Sequence, residues 1–343
     1  MPLTKHGIKA MGFKEIPSEM KIEANFNSAA IYSVEGINIK ELTSDSYPDL
    51  SYKNENFSFA FGNSINEISR KLLGDDFVDD EESWQKENNV RPSYFIIHFK
   101  IKDPFFCSSG YWKQDEEYLY TYNCFADAKK ALKEKENKII PSLISSLTVQ
   151  LSKIHKSIRF RRINRMVYAK TSEDITLFDV RVKLSAQFST SENVLPNKIN
   201  DKVNKALDQY SKFEPRVASL FYSGLTEEDR FKKFLNLYQS LEIYIHKTFK
   251  QIEFENHVDA VNSSPKRLKK TARKFFINRQ AQSKNLTQRF MWCAILKWKR
   301  LEDSDVENFK KIKKTRDKLS HGEKIPESNL QIEKLENLLL KVF

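Results

Sequence analysis

Cysteine is scarce in this chain: three in 343 residues, at Cys107, Cys124 and Cys293, far apart and without a Cys-x2-Cys pair. An odd number at that spacing argues against a disulfide framework and against a zinc site, and it fits a reducing cytoplasm. Glycine and proline are also few, at 8 and 10. There is no Gly-rich phosphate loop, so loop-cradled nucleotide chemistry has no support in the sequence. No internal repeat and no low-complexity tract is visible. Charged residues interrupt every apolar run well short of a membrane span, and Met1–Gly7 lacks the apolar core of a secretory signal. The expectation is a soluble cytoplasmic protein with no membrane partner, no metal and no cofactor.

What is present is enough apolar material for two domains, 40% hydrophobic residues with 12% aromatic. The charge is unevenly placed. Between Lys266 and Lys324 there are 19 Lys and Arg against 6 Asp and Glu, and the rest of the chain has 39 against 40. The whole excess of +12 therefore lies in about sixty residues. A basic run is commonly a solvated face, but one this concentrated points to a polyanion, nucleic acid first. Lys266-Arg267-Leu268-Lys269-Lys270 also matches an unspecific nuclear-localisation pattern.

Residues 1–215 read as an α+β domain. Ser93–Lys102 is rich in aromatic and β-branched residues and predicts a strand, as do Arg165–Lys170 and Ile175–Phe188. Helices are expected over Ala126–Glu136, resuming after Pro141 as Ser142–His155, and over Asn197–Phe213. Asp75–Glu82 reads as a solvated acidic loop. Arg159-Phe-Arg-Arg162 could touch nucleic acid, though a strand edge or loop explains it as well. Phe213–Gly224 reads as the junction, with Pro215 and Gly224 as breakers.

Beyond it, residues 225–343 read as an all-α bundle. Thr226-x-x-Asp229 predicts the start of a helix whose stripe is Phe231, Phe234, Leu235, Tyr238, Leu241, Ile245 and Phe249. A second helix is expected over Thr287–Trp298. A third opens at Ser304-x-x-Glu307, buries Val306, Phe309, Ile312 and Leu319, and stops at Gly322. A fourth opens at Ser328-x-x-Gln331, with Leu330, Leu335, Leu338, Leu339 and Val342 inward. Glu253–Arg279 reads as a basic loop with a short helix. Trp292 and Trp298 suit a core better than base stacking.

The candidate site lies at Thr315-Arg316-Asp317-Lys318-Leu319-Ser320-His321-Gly322. A guanidinium can hold a phosphate and an imidazole can move a proton near neutral pH. Five positions apart on an ideal helix, Arg316 and His321 differ by about 140° in azimuth, so Gly322 would have to let the last turn unwind. Lys310, Lys311, Lys313, Lys314 and Lys318 would line the approach of nucleic acid.

Leu-Tyr-x-x-Leu-Glu-x-x-Ile over Leu237–Ile245, with Arg-Asp-x-x-Ser-His-Gly ending a later helix, resembles a HEPN domain over about 225–343. The likeness is to the HEPN ribonucleases of bacterial toxin and anti-phage systems. It implies metal-independent RNA cutting by a helical bundle that dimerises, so that the Arg/His pairs of two protomers face one cleft. By motif position Arg316 would polarise the phosphate, His321 would be the acid/base, Asp317 would orient them, and Glu242 would support Arg316 from the first helix. Residues 1–215 would sense a phage-derived or system-encoded trigger.

Other readings stand beside this one. Asp317 with Lys313 could be a surface pair, and Arg316 with His321 could bind phosphate without chemistry or complement the helix dipole. Glu242 and His246, four apart, suit a polar helix edge better than a metal. His98, His155 and His257 have no partner spacing that favours a ligand role. The module as a whole could be a non-catalytic HEPN that binds nucleic acid or nucleotides and mediates dimerisation, or a scaffold for protein contacts.

Overall fold

The sheet is organised by one 14-residue strand whose side chains are buried along nearly its whole length, Ile22–Glu35. A computed structural model describes residues 5–39, 50–115, 118–155, 158–179, 193–194, 196–253, 274 and 277–343. The chain divides into two compact units, Met1–Asp208 and Gln209–Phe343. The first is a mixed sheet with helices and the second is helical. Most of Ile175–Phe188, the Lys266–Lys270 cluster and His257 lie outside the described residues.

In the first unit the strands are β1 (Lys14–Glu15), β2 (Ile22–Glu35), β3 (Asn38–Ile39), β4 (Ser51–Lys53), β5 (Ser58–Gly62), β6 (Tyr94–Lys100), β7 (Phe105–Cys107), β8 (Tyr111–Gln114), β9 (Tyr118–Tyr122), β10 (Arg159–Thr171), β11 (Thr176–Asp179) and β12 (Asn193–Val194). The main sheet runs β1-β8-β9-β11-β10-β2-β6-β5-β4, with β7 on β2 and with β12 paired to β3 separately. β2 pairs antiparallel with β6 and β10, while β9 and β11 are parallel. The Arg159–Arg162 cluster is therefore part of a long inner strand, and Arg161 is ion-paired to Glu35 at 3.2 Å.

Three helices precede the long one: α1 (Lys5–Ala10), α2 (Ile65–Leu73) and α3 (Glu81–Asn88). The supposed acidic loop has structural work. Asp80 caps α3 by accepting from the Ser83 amide at 3.1 Å, and Glu81 accepts from Ser64 Oγ at 2.6 Å and the Ile65 amide at 2.8 Å, at the start of α2. Orphan amides at a helix start favour carboxylates there.

α4 (Ala126–Leu151) is one helix, with Pro141 inside it rather than a break between two. Burial of Leu143, Ile144, Leu147 and Leu151 on one face of its last half and of Val149 and Ser145 on the other offsets the hydrogen bond that proline removes. Buried Glu136 fastens α4 to the sheet, accepting from Ser28 Oγ at 2.6 Å and Arg165 Nε at 2.8 Å. α5 (Pro196–Tyr210) follows.

The second unit contains α6 (Pro215–Thr226), α7 (Arg230–Lys250), α8 (Leu286–Leu296), α9 (Asp303–Ser320) and α10 (Ile332–Val342). Here Phe213–Gly224 is not a broken junction. Pro215 sits in the first turn of α6, where its missing N–H is harmless, and Glu214 caps that helix by accepting from the Val217 amide at 2.6 Å. Gly224 is buried within the helix, and a Cβ there would lie 2.6 Å from Leu237 Cδ2. The absent side chain lets α6 and α7 approach.

Start signals shift by a few residues. Asp229, not Thr226, caps α7. α9 begins at Glu302, whose amide donates to Asp305 Oδ2 at 2.9 Å, because Asp305 is buried and also held by Lys341 at 2.8 Å. α10 begins after Gln331, with Glu327–Asn329 as a 3-10 turn. On α7, Leu235 is exposed and Leu237 is fully buried, which reverses the expected stripe at one position. Phe290 of α8 and Phe309 of α9 stack at 3.9 Å, and Trp298 packs on Phe290 and Tyr244. No helix among the described residues is long and apolar enough to cross a membrane.

His98 of β6 gives the N-terminal unit a pH-dependent element. Its ring lies against Tyr168 and between Ser58 Oγ at 3.4 Å and Tyr168 OH at 3.2 Å. Burial, with Lys100 and Lys53 nearby, lowers its pKa to about 4. The unfolded chain would bind this proton near pH 6.5, so the stabilisation is complete above that pH and is lost as pH falls toward 4. The full shift corresponds to about 3 kcal/mol. Urea unfolding of the N-terminal unit at pH 7 and pH 4.5 should show a smaller acid loss in His98→Gln than in the wild type.

Candidate active site

The end of α9 positions the proposed pair. Gly322 takes the left-handed conformation, φ 76°. The Glu323 amide donates to the Lys318 carbonyl at 3.0 Å and the Gly322 amide to Leu319 at 3.1 Å. These are the two hydrogen bonds of a Schellman cap. The glycine thus closes the last turn instead of unwinding it. The His321 amide still donates to the Asp317 carbonyl at 3.0 Å, so Arg316 and His321 leave the helix on different sides. No hydrogen bond or ion pair joins them.

Arg316 points toward α7. Its guanidinium lies 5.3 Å from the Tyr238 ring centre, 3.5 Å from Glu242 Oε2 and 3.3 Å from Asp317 Oδ1. About a third of each of these charged side chains remains exposed. Glu242, Arg316 and Asp317 are therefore brought together. Burial opposes ionisation of Asp317, but the Lys313 hydrogen bond and charge, with Arg316 beside it, hold its carboxyl below the usual range. Burial and the Glu242 charge raise the Tyr238 phenol, which keeps it neutral.

His321 is exposed and its side chain has no partner among the described residues. On an ideal helix it falls in line with Lys310, Lys314 and Lys318. Of the five lysines, Lys310 is paired with Glu307 at 2.7 Å, Lys318 with Glu323 at 3.1 Å and Lys313 with Asp317. Lys311 and Lys314 are exposed and unpaired among the described residues. No family model, curated protein or solved structure matches the chain.

A second arginine, one that no motif singles out, also meets α7. Arg289 of α8 donates through Nη1 to His246 Nδ1 at 2.7 Å and through Nε to the Ser283 carbonyl at 3.0 Å, with its guanidinium 5.5 Å from the Phe249 ring centre. His246 is thus more than a polar edge. Burial, then Arg289, lowers its pKa against the pull of Glu242. The signal available was on α7 itself, where Tyr238, Glu242, His246 and Phe249 lie along one side at helical spacing.

A pocket of about 440 Å³ opens on the other side of α7, with Tyr244, Trp298, Lys297, Lys299 and Arg300 among its lining. It contains none of the predicted site residues. A polymer backbone needs an open face more than an enclosed pocket, so the Arg316 face is the better candidate. Among the described residues no group of His, Cys, Asp and Glu could hold a metal ion.

Arg316 stabilises the fold little if its contacts are those of a partly exposed ion pair over an aromatic ring. Arg316→Ala should cost at most about 1 kcal/mol, and His321→Ala should stay within about 0.5 kcal/mol of the wild type. Chemical denaturation of the purified variants measures both.

Proposed function

We propose that this protein is a metal-independent endoribonuclease of a toxin or anti-phage defence system, with its C-terminal helical unit as the cutting module. The observation that carries this is the Arg316 guanidinium, about one-third exposed and oriented by Glu242, Asp317 and Tyr238 at the edge of a lysine-bearing helix that ends in exposed His321. A guanidinium in that setting is fixed in place yet reachable by a phosphate. The HEPN resemblance of 225–343 supports the same assignment.

In the proposed reaction the ribose 2′-oxygen attacks the adjacent phosphorus and loses its proton to a base. The bond from phosphorus to the 5′-oxygen breaks, and an acid protonates the departing oxygen. The products are a 2′,3′-cyclic phosphate and a 5′-hydroxyl. Arg316 neutralises the charge that builds on the phosphoryl oxygens, and His321 moves a proton. One Arg/His pair supplies one such group, whereas the step benefits from both a base and an acid. A homodimer joined through the C-terminal helices would supply two of each. It would also bring His321 of one copy to Arg316 of the other, a partner that Arg316 lacks within its own chain. The N-terminal unit would sense the trigger.

A non-catalytic nucleic-acid- or nucleotide-binding module that mediates dimerisation is the second reading. It is favoured by the missing contact between Arg316 and His321. Incubation of purified protein with total RNA in EDTA separates the two. Wild-type protein should cut, and Arg316→Ala and His321→Ala should each slow cutting by about 100-fold or more while remaining folded. Cutting at the wild-type rate by both variants would place the active site elsewhere.

A further inference from the structure

Two guanidinium groups are docked on one side of α7 in parallel fashion. Arg316 lies over Tyr238 and pairs with Glu242. Arg289 lies over Phe249 and donates to His246. On an ideal helix these four α7 residues fall within about 80° of azimuth, and Glu242 and His246 are about 6 Å apart along the axis.

The two arginines differ in what neutralises them. Arg316 has two carboxylates within 3.5 Å. Arg289 has no carboxylate partner among the described residues, only a backbone carbonyl and a neutral ring nitrogen. A partly buried cation without a counter-ion is unfavourable, and the missing component is an anion. His246 adds to the same demand. With Nδ1 accepting from Arg289, the neutral ring carries its proton on Nε2, so the pair presents donors and no acceptor.

The arrangement is held in place beforehand. Buried Ser283, whose carbonyl fixes Arg289 Nε, accepts from Trp292 Nε1 at 2.9 Å and donates to the Arg279 carbonyl at 3.1 Å. Lys250, one turn beyond His246 on α7, adds positive charge close enough to act on the imidazole.

We propose that Arg289 and His246 form a second phosphate subsite, which takes the phosphodiester next to the one held by Arg316. This face of α7 then binds two successive phosphates of a single RNA strand. The inference rests on the ribonuclease reading, since it is the run of phosphates along a strand that would engage both arginines at once.

Binding of uncleavable 2′-O-methyl oligonucleotides tests it, using one with a single phosphodiester and one with eight. Arg289→Gln should weaken the longer ligand by tenfold or more and lower its log–log salt slope by about 0.7, the share of one phosphate on a single strand. Binding of the shorter ligand should be unchanged. Arg289→Lys keeps the charge and loses the planar fork, so it should retain the slope with an intermediate affinity. It also serves as the check if the glutamine variant melts early. Wild-type affinity and slope in Arg289→Gln would overturn the subsite, as would an equal loss for both ligands. Wild-type protein that binds neither oligonucleotide at low salt would overturn the RNA reading, and the subsite with it.

Discussion

The C-terminal unit depends on how α7 divides its surface. With 3.6 residues per turn, Phe234, Leu237, Leu241 and Ile245 enter the core and meet α6, α8 and α10. Gly224 lets α6 come close to Leu237. What remains on another side is a stripe of aromatic and polar residues, and two neighbouring helices each lay one arginine on it. Change the register of α7 by one residue and both arginines lose ring and acceptor together. The candidate site is thus a by-product of core packing, which is why its side chains are oriented without any enclosing pocket.

Electrostatics then sorts the basic residues. A formal excess of +12 suggests a broad positive surface, but Lys310, Lys313 and Lys318 each have a carboxylate beside them. Exposed pairs of this kind contribute little to stability, yet they mute the local field. Around the Arg316 face, Lys311, Lys314, Lys250 and Arg289 are among the cations of the described surface without a carboxylate beside them, and an anion would meet them together with the exposed part of Arg316. A phosphate approaching Arg316 would compete with Glu242 and Asp317, whose distances of 3.5 and 3.3 Å are long enough to be exchanged.

Much of this was legible in the sequence where side chains repeat with a clear period. Phe309 and Ile312 of α9 and Leu335, Leu338 and Leu339 of α10 are buried as their spacing implies, and Glu242 does meet Arg316 across two helices. Less visible were features set by tertiary contacts. β2 is rich in Ala, Asn and Ser and has low strand propensity, so its central place follows from burial on both faces. Pro141 and Gly224 are breakers by local rule, but packing keeps both inside helices. The capping signals at Thr226, Ser304 and Ser328 lost to Asp229, Glu302 and Gln331. At the site, the role expected of Gly322 was reversed, because a left-handed residue just past the helix completes its hydrogen bonds. Arg289 was invisible because its partner lies 43 positions away in the chain.

The central claim is that a phosphodiester held at Arg316 is broken by its own neighbouring 2′-hydroxyl. The most direct measurement is the chemistry of the ends produced from a defined RNA, read by mass spectrometry, beside the same RNA with a single 2′-deoxy substitution at the cut. Upstream fragments ending in a 2′,3′-cyclic phosphate, downstream fragments beginning with a 5′-hydroxyl, and no cut at the substituted position are the predicted result. Fragments with 3′-hydroxyl and 5′-phosphate ends, or cutting that continues at the deoxy position, would contradict it.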